Sequence, residues 1–325
     1  MSTRVKFIVL GILFAAGIYL SLFFGGSEVL NWHNVQADFV FYQIRLPKTL
    51  TALMAGAALS VSGLVLQVIF RNPLAGPYVL GISSGASLAV AVSVMTGSAI
   101  GFFPSFFHGK TFPMVAAIIG ALVMTFLILS ISLRVKKNVI LLLIGLMVAQ
   151  ICGAVQTMLE YFAEPDSLKN FVIWGMGSMS TTGLPDMPLF IGLSLIPLLA
   201  SLFFVKALNA FLLGQAYAHN LGIRIKHTRF WLILISSALT GIVTAYCGPI
   251  AFVGIAVPIL SRMVFPQSQQ RIHLFACMLI GATMLMFADA FAHSLLTHMA
   301  LPINMVTTFI GAPLLIYLMF KNKHW

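Results

Sequence analysis

The sequence predicts an all-α protein that crosses a membrane with about ten helices and keeps both termini in the cytoplasm. Of its 325 residues, 60% are hydrophobic and only 8% are charged, and the mean hydropathy is +1.03. Soluble domains carry about 25% charged residues, so this composition indicates a chain embedded in lipid. Because lipid offers no partner to an unpaired backbone N–H or C=O group, the spanning segments are expected to be helices.

Ten apolar segments follow one another along the chain, and a spanning helix needs about 20 such residues. They occupy residues 7–24, 48–69, 79–97, 112–133, 138–160, 187–206, 229–247, 249–264, 272–295 and 303–321. The eighth segment is short and contains Pro258, so a short or broken helix is expected there. Together the segments make residues 1–325 a single transmembrane domain with no room for a second, soluble one.

The charges predict how the chain is oriented. With the N-terminus inside, 14 of the 18 basic residues fall on the cytoplasmic side: Arg4, Lys6, Arg71, Arg134, Lys136, Lys137, Lys206, Arg224, Lys226, Arg229, Arg262, Arg271, Lys321 and Lys323. The outside receives six of the seven acids: Glu28, Asp38, Glu160, Glu164, Asp166 and Asp186. This asymmetry follows the positive-inside rule, so the net charge of +11 indicates topology and not a nucleic-acid surface.

The sequence contains no pattern of a catalytic or metal site. It has no Walker A sequence, no glycine-rich nucleotide loop and no nucleophile elbow. Its cysteines (Cys152, Cys247 and Cys277) lie scattered in or near apolar segments, and its eight histidines form no cluster. We therefore expect no enzyme activity, and no metal or cofactor bound by this chain.

One polar segment, residues 212–222, lies on the cytoplasmic side between the sixth and seventh spans. Its spacing predicts a short helix with Leu213, Ala216 and Leu221 on one side and polar residues on the other, ended by a glycine C-cap at Gly222. A polar helix between two spans has no role in lipid. We therefore expect another protein to bind it.

The longest outside connection, residues 161–186, predicts a helix at the membrane surface. It begins with acidic residues and continues through residues 170–178, where apolar and polar residues mix around Trp174. Tryptophan is enriched at membrane interfaces, so an amphipathic helix anchored by Trp174 is expected there.

Several short motifs occur in a fixed order along the chain. They are Arg45-Leu46-Pro47-Lys48-Thr49-Leu50, Gly63-Leu64-Val65-Leu66-Gln67, Arg71-Asn72-Pro73-Leu74-Ala75-Gly76-Pro77, Leu80-Gly81-Ile82-Ser83-Ser84-Gly85-Ala86, Gly248-Pro249-Ile250-Ala251-Phe252-Val253-Gly254 with Pro258 and Arg262, and Leu301-Pro302-Ile303-Asn304-Met305-Val306-Thr307 with Gly311-Ala312-Pro313. In this order, from about residue 40 to residue 320, they resemble the FecCD-type permease family, the membrane subunits of ATP-driven importers for iron-siderophores, haem and cobalamin.

The resemblance implies the architecture of a type II ABC importer permease in the bacterial cytoplasmic (inner) membrane. The implied partners are a second permease copy, most simply as a homodimer, two ABC ATPase subunits that bind ATP and Mg, and a substrate-binding protein on the outer face. It implies a bulky metal chelate as cargo, with iron-siderophore favoured and haem or cobalamin possible. The transport path is expected on the fifth and tenth spans and their neighbours.

The resemblance also assigns roles to individual residues. The segment that couples to the ATPase would comprise Leu213, Gly214, Gln215, Ala216, His219, Leu221 and Gly222, although Gln215-Ala216 replaces the family's commoner acidic pair. Arg45 and Lys48 fall on the positions that pair with glutamates of the binding protein, and His293 replaces a further basic residue. Structural or gating positions would be Arg71, Asn72, Pro73, Gly248, Pro249, Pro258 and Asp289. The glycine-proline pair is expected to break the chain between the seventh and eighth helices, or to line a cavity.

Asp289 is the only acid in the interior of a predicted span, since Glu160 stands at the outer end of the fifth. An intramembrane carboxylate costs about 3 kcal/mol, so it needs a partner or access to water. It either bonds neighbouring backbone near the outer helix end or takes part in proton coupling. The second reading leaves open an alternative function, an ion-coupled secondary transporter.

Overall fold

The computed structural model describes residues 2–23, 39–100, 111–135, 138–266, 268–294 and 301–321, and this part of the chain is helical with no strand. The α-helices are α1 Thr3–Phe23, α2 Leu46–Phe70, α3 Ile82–Ile100, α4 Thr111–Arg134, α5 Asn138–Phe162, α6 Pro165–Gly175, α7 Met187–Phe203, α8 Val205–Leu213, α9 Gln215–Asn220, α10 Ile225–Cys247, α11 Val253–Val264, α12 Gln270–Ser294 and α13 Ile303–Lys321. A π-helical turn, Phe41–Arg45, leads into α2, and a 3-10 turn, Leu184–Asp186, precedes α7.

Nine of the ten predicted apolar segments correspond to one helix each, and the sixth covers α7 and the first residues of α8. Seven helices in the described residues are long and apolar enough to cross a membrane, and α3, α11 and α13 contribute shorter apolar stretches. The predicted all-α membrane fold is therefore confirmed. The eighth segment needs a correction, because α11 begins at Val253 and not at residue 249, after a backbone break at Gly248–Phe252.

Helix α2 lies at the centre of the bundle, and small residues bring it into backbone contact with its neighbours. A Cβ atom added at Gly56 would collide with the carbonyl O of Gly281 in α12, and one at Gly63 would collide with the carbonyl O of Gly254 in α11. Such contacts replace the hydrophobic effect, which cannot drive helix association in lipid. The glycines of α2 therefore allow α11 and α12 to pack directly against it.

Hydroxyl groups add polar contacts to this interior. The Ser62 hydroxyl lies 2.6 Å from the Ser236 hydroxyl and 2.8 Å from the Thr240 hydroxyl, joining α2 to α10. The Ser60 hydroxyl donates to the carbonyl O of Cys277 at 2.7 Å, joining α2 to α12. Both contacts are buried and satisfy polar groups that have no access to water.

The surface helix after α5 differs from its predicted bounds. An amphipathic helix was expected over residues 170–178, whereas α6 spans Pro165–Gly175. It begins earlier because Pro165, with its fixed φ and missing N–H, suits the first helical position. It ends earlier because Gly177 adopts φ +73°. Trp174 lies within α6, as expected.

Candidate functional site

Most charged residues lie near helix ends or in turns: Lys6, Arg71, Arg134 and Lys226 at one end of the bundle, and Glu160 and Asp186 at the other. At one end, Lys6 Nζ donates to Val264 O at 2.6 Å and Asn138 Nδ2 donates to Ile69 O at 2.7 Å, so the start of α1 lies beside the end of α11, and the end of α2 beside the start of α5. We call this the basic end. The opposite, acidic end contains the ends of α1, α5 and α10 and the start of α2. From the positive-inside rule we expect the basic end on the cytoplasmic side, and this orientation stays a prediction.

The predicted coupling segment lies at the basic end and is divided by a glycine. Helix α8 ends at Leu213, Gly214 adopts φ +119°, and the polar helix α9 covers only Gln215–Asn220. The helix is thus shorter than the predicted 212–222, because the φ of Gly214 is incompatible with a continuous helix. Gly222 ends the segment with φ +78°, and its N–H donates to His219 O at 2.9 Å, which is the expected C-cap geometry.

Apolar side chains on α9 and immediately beside it are exposed. Leu213, Tyr217 and Leu221 are 66%, 47% and 59% exposed, and Ala216 and His219 are exposed as well. Ala218 is fully buried on the opposite side of this helix. Exposed apolar groups rimmed by polar residues are typical of a protein-binding surface.

The turn after α2 lies next to this segment. Arg71 adopts a left-handed conformation with φ 50°, and its Nη1 would lie 3.7 Å from a Cβ atom added at Gly214. Asn72 Oδ1 accepts from the Leu74 N–H at 2.9 Å, and Pro73 lies inside this Asx turn. The central helix therefore ends beside the coupling segment.

The last turn of α2 also connects to α11. Gln67 Nε2 donates to Ile255 O at 3.1 Å, and Arg262 donates to Gln67 Oε1. Pro258 lies inside α11, between these two contacts. A movement of the turn at Arg71 would therefore reach α11 through Gln67.

At the acidic end, Asp289 forms a buried ion pair. Lys48 Nζ lies 3.1 Å from Asp289 Oδ2, and the two side chains are 1% and 0% exposed. His293 Nδ1 lies 3.5 Å from Asp289 Oδ1. The reading that Asp289 merely bonds nearby backbone is wrong, because its partner is a lysine on another helix. The pairing supplies the compensation that a buried carboxylate requires.

Two of the three residues assigned to docking are buried, although contact with a binding protein requires exposed side chains. Lys48 is buried, and Arg45 is 5% exposed and donates to Leu22 O at 3.0 Å and to Phe23 O at 2.8 Å. These contacts tie the end of α1 to the start of α2. His293 is 22% exposed. A docking role for the three residues stays a prediction, but Arg45 and Lys48 are held inside the bundle.

The break between α10 and α11 lies at the acidic end. Gly248 adopts φ +75°, and a Cβ atom there would collide with Trp174 O. Phe252 adopts φ +67°, an uncommon conformation for a residue with a side chain. Asn304 holds the break in place: its Oδ1 accepts from Ala251 N–H at 3.1 Å, and its own N–H donates to Met176 O at 3.2 Å. The segment with Gly248 and Pro249 thus ends the seventh span, as expected.

The Lys48–Asp289 pair was missed by sequence reasoning, although a signal for it was present. Lys48 is the first residue of an apolar segment, and Asp289 is the only acid in the interior of one. Charged groups inside membranes usually pair with one another, so these two could have been matched. The exposed Tyr217 was missed as well, because α9 was read mainly for its polar residues.

Comparisons with known proteins place these features in a family. The model of the FecCD transport family matches residues 7–321. The chain is 37% identical over 295 residues to the vitamin B12 import system permease protein BtuC of Serratia proteamaculans (strain 568), covering 90% of this chain and 85% of that protein. It is 34% identical over 294 residues to the BtuC protein of Klebsiella pneumoniae, covering 90% and 86%.

Two solved structures share the fold. One, described as an inward-facing conformation of a metal-chelate type ABC transporter, matches with a TM-score of 0.88 and 29% identity over 99% of this chain and 100% of that one. The other is PsaBC from Streptococcus pneumoniae in complex with Fab, with a TM-score of 0.60 over 86% and 91% of the two chains. At 17% identity the second match shows the fold alone. The family match and the curated relatives agree, and the chain belongs to the FecCD transport family.

Proposed function

We propose that this chain is the permease subunit of an ATP-binding-cassette importer that moves a bulky metal chelate or corrinoid across the bacterial cytoplasmic membrane. The observation that carries the proposal is the family match over residues 7–321. The chain would act as a homodimer with two ATPase subunits and an outer substrate-binding protein. ATP and Mg would be bound by the ATPase subunits, and this chain would carry out no catalysis.

Helix α9 is the proposed contact with the ATPase. The exposed side chains of Tyr217 on α9 and of Leu213 and Leu221 on either side of it fit a groove on a soluble partner. Gly214 and Gly222 adopt positive φ before and after α9, so the backbone can change direction at both positions. Arg71 lies beside Gly214, so a shift of α9 would act on the end of α2. Through Gln67 the shift would continue to α11. Coupling of this kind needs two packings of these elements with different affinities for the ATPase.

The binding protein would dock at the acidic end. His293 remains partly exposed there, beside the buried pair of Lys48 and Asp289. In this arrangement Arg45 and Lys48 hold α1, α2 and α12 together beneath the docking surface. Exposed ion pairs contribute about 0–1 kcal/mol each, so partners at this surface would orient docking more than stabilise it.

The transport path would run between the two copies along α5 and α13. Both helices expose large apolar side chains, including Met147 and Ile151 on α5 and Phe309 on α13. A mostly apolar wall would bind a bulky chelate weakly and release it when the path closes. Accessibility of single cysteines placed along α5 and α13 tests this, and the path assignment fails if none responds to nucleotide.

The substrate is proposed as a corrinoid or a ferric siderophore. The named relatives are vitamin B12 permeases, so cobalamin is the first substrate to test. The sequence-based expectation of an iron-siderophore is the second. The ion-coupled alternative draws no support from Asp289, because that carboxylate is neutralised by Lys48.

Reconstitution in liposomes tests the proposal. The chain would be combined with its cognate ATPase and binding protein, and uptake of labelled cobalamin, ferric siderophore and haem would be compared with and without ATP. Gly214→Pro should lower transport while ATPase binding persists. Tyr217→Ala should weaken ATPase binding about tenfold or more, the scale of a buried aromatic contact. Phe203→Ala, also at an exposed aromatic of the basic end, is the control.

A gradient-driven result would overturn the importer assignment. If a proton or sodium gradient drives uptake without ATP, and if no ATPase associates, the chain is a secondary transporter. Equal effects of Tyr217→Ala and Phe203→Ala would leave the importer assignment in place and remove α9 as the coupling surface.

A further inference from the structure

A cationic cavity lies at the basic end, between the end of α4 and the start of α10. Its volume is about 340 Å³, and three basic side chains, those of Arg134, Lys226 and Arg229, line it. Its remaining wall is largely apolar and includes Leu133 and Phe230. The proposed transport mechanism uses none of these residues.

Arg229 is the unusual member of this cavity. Its side chain is only 7% exposed, and its Nε and Nη2 atoms are buried with no hydrogen-bond partner among the described residues. A buried guanidinium without an anion or acceptors is strongly unfavourable, and such groups in proteins are nearly always paired. The two unpartnered nitrogens of Arg229 therefore indicate that a ligand completes this site.

The anion must come from a second molecule. No described acid pairs with Arg229, and five of the seven acids in the chain (Glu160, Glu164, Asp166, Asp186 and Asp289) lie on helices or turns at the acidic end. A second permease copy would bring the same distribution of charge. The partner of Arg229 is thus a phosphate or carboxylate that this chain does not supply.

The apolar wall of the cavity favours a lipid as the source of that anion. Leu133 is 56% exposed and Phe126, two turns earlier on α4, is 58% exposed, so the cavity is continuous with an apolar helix surface that faces the bilayer. A phospholipid would lay its acyl chains along this surface and bring its phosphate into the cavity. A carboxylate from a soluble protein would leave the same apolar wall uncovered.

We propose that this cavity binds the phosphate group of an anionic phospholipid of the cytoplasmic leaflet. Arg229 is the buried ligand, and its planar guanidinium suits bidentate contact with two phosphate oxygens. Arg134 and Lys226 are exposed at the rim and add charge. Basic pockets between helices on the cytoplasmic side are a recurrent form of headgroup site. The site does not depend on which substrate the chain carries.

The position of the site gives the bound lipid a structural role. Residues 221–224 are all that separates α9 from Ile225, the first residue of α10. A phosphate on Arg229 would hold the first turns of α10 against α4. The lipid would thereby fix one side of the coupling segment, while the turn at Arg71 lies on the other.

Native mass spectrometry of the purified, delipidated chain tests the site. Apparent dissociation constants would be measured for dioleoyl phosphatidylglycerol and dioleoyl phosphatidylcholine. The wild type should prefer phosphatidylglycerol by about tenfold or more, the scale of a hydrogen bond to a charged group. Arg229→Gln should abolish this preference. Arg271→Gln, which removes an exposed charge at the same end but outside the cavity, should retain it.

A second variant keeps the test decisive if Arg229→Gln fails to fold. Arg134→Gln combined with Lys226→Gln changes only exposed rim positions and should lower the preference for phosphatidylglycerol about fivefold for each charge.

The proposal is wrong if the cavity variants keep the wild-type preference for phosphatidylglycerol, or if Arg271→Gln loses as much of it. It is also wrong if inorganic phosphate competes as well as the lipid. Finally, it is wrong if Arg229→Gln weakens ATPase binding in nanodiscs of phosphatidylcholine alone, since the anion would then be a carboxylate of the ATPase.

Discussion

Helices α2 and α5 are of equal length and are both strongly apolar, yet they occupy opposite environments. In the span that contains α2, 89% of an apolar stretch of 18 residues is buried in the bundle. In the corresponding stretch of α5, only 22% is buried. Hydropathy recognises both as membrane helices and does not distinguish them. The difference lies in the number of small side chains, because α2 contains eight Gly, Ala and Ser residues and α5 contains four.

Small residues decide which helix becomes the centre. In lipid, burying a leucine gains little, since the acyl chains are as apolar as the protein interior. Close backbone approach gains dispersion contacts and polar contacts instead, and only small side chains permit it. Gly63 of α2 touches α11 in this way, whereas Gly153 of α5 has no atom near the position of a Cβ.

Replacing Gly63 and Gly153 with leucine should give the largest difference in stability between changes to α2 and changes to α5. Gly63→Leu forces a side chain into the backbone of Gly254, so we expect a loss of more than about 4 kcal/mol and no folded protein. Gly153→Leu should change the stability of the single chain by less than about 0.5 kcal/mol, because none of its atoms lies near the Cβ position. Monodisperse yield and thermal unfolding in detergent measure both. Equal behaviour of the two variants would refute the assignment of α2 as the packing centre.

Removing one partner of the buried ion pair should have the next largest effect. Lys48→Met removes the lysine partner of Asp289 and leaves only the partly exposed His293, 3.5 Å away, beside the carboxylate, which should cost up to about 3–5 kcal/mol. Lys48→Met combined with Asp289→Leu should recover most of the loss, because no uncompensated charge remains. Unfolding of the two single variants and the double variant in a denaturing detergent gives the coupling energy. Strictly additive losses would mean that the pair does not contribute to the position of α2.

A smaller effect is expected for the hydroxyl contacts of the same helix. Ser62→Ala removes the contact from α2 to Ser236 and Thr240 and should cost about 1 kcal/mol. The control is Ser130→Ala on α4, where the hydroxyl donates to Phe126 O of its own helix and is exposed. That change should be smaller than about 0.5 kcal/mol. If Ser130→Ala costs as much as Ser62→Ala, the polar contacts between helices do not distinguish α2 from the outer helices.

The sequence predicted the positions of the membrane helices well because hydropathy directly reports lipid burial. It predicted the helix ends less well near polar residues. The sixth segment was expected to end at residue 206, whereas α7 ends at Phe203 and a new helix, α8, carries Lys206 on to Leu213. A charged residue ends an apolar segment but not a helix, because its head group reaches water while its stem packs on apolar surface.

The candidate site could be predicted where the backbone determines it and not where distant residues meet. Gly222 was predicted as a helix end because the left-handed conformation favours glycine, and it adopts that conformation. The pairing of Lys48 with Asp289 depends on how α2 packs against α12, which no local pattern specifies. The same holds for the cavity at Arg229, since the sequence predicted only that this residue lies on the cytoplasmic side.

The two hydrogen bonds of Asn304 have a consequence for biosynthesis. The break after α10 and the turn after α6 leave backbone groups at Ala251 and Met176 whose partners are on Asn304, at the start of the last helix. Chains are made and inserted from the N-terminus, so these two backbone groups have no hydrogen-bond partner on Asn304 until the last segment leaves the ribosome. Until then they depend on water or the translocation machinery. A nascent chain stalled before residue 303 would therefore expose a recognisable unfinished surface to quality-control proteases.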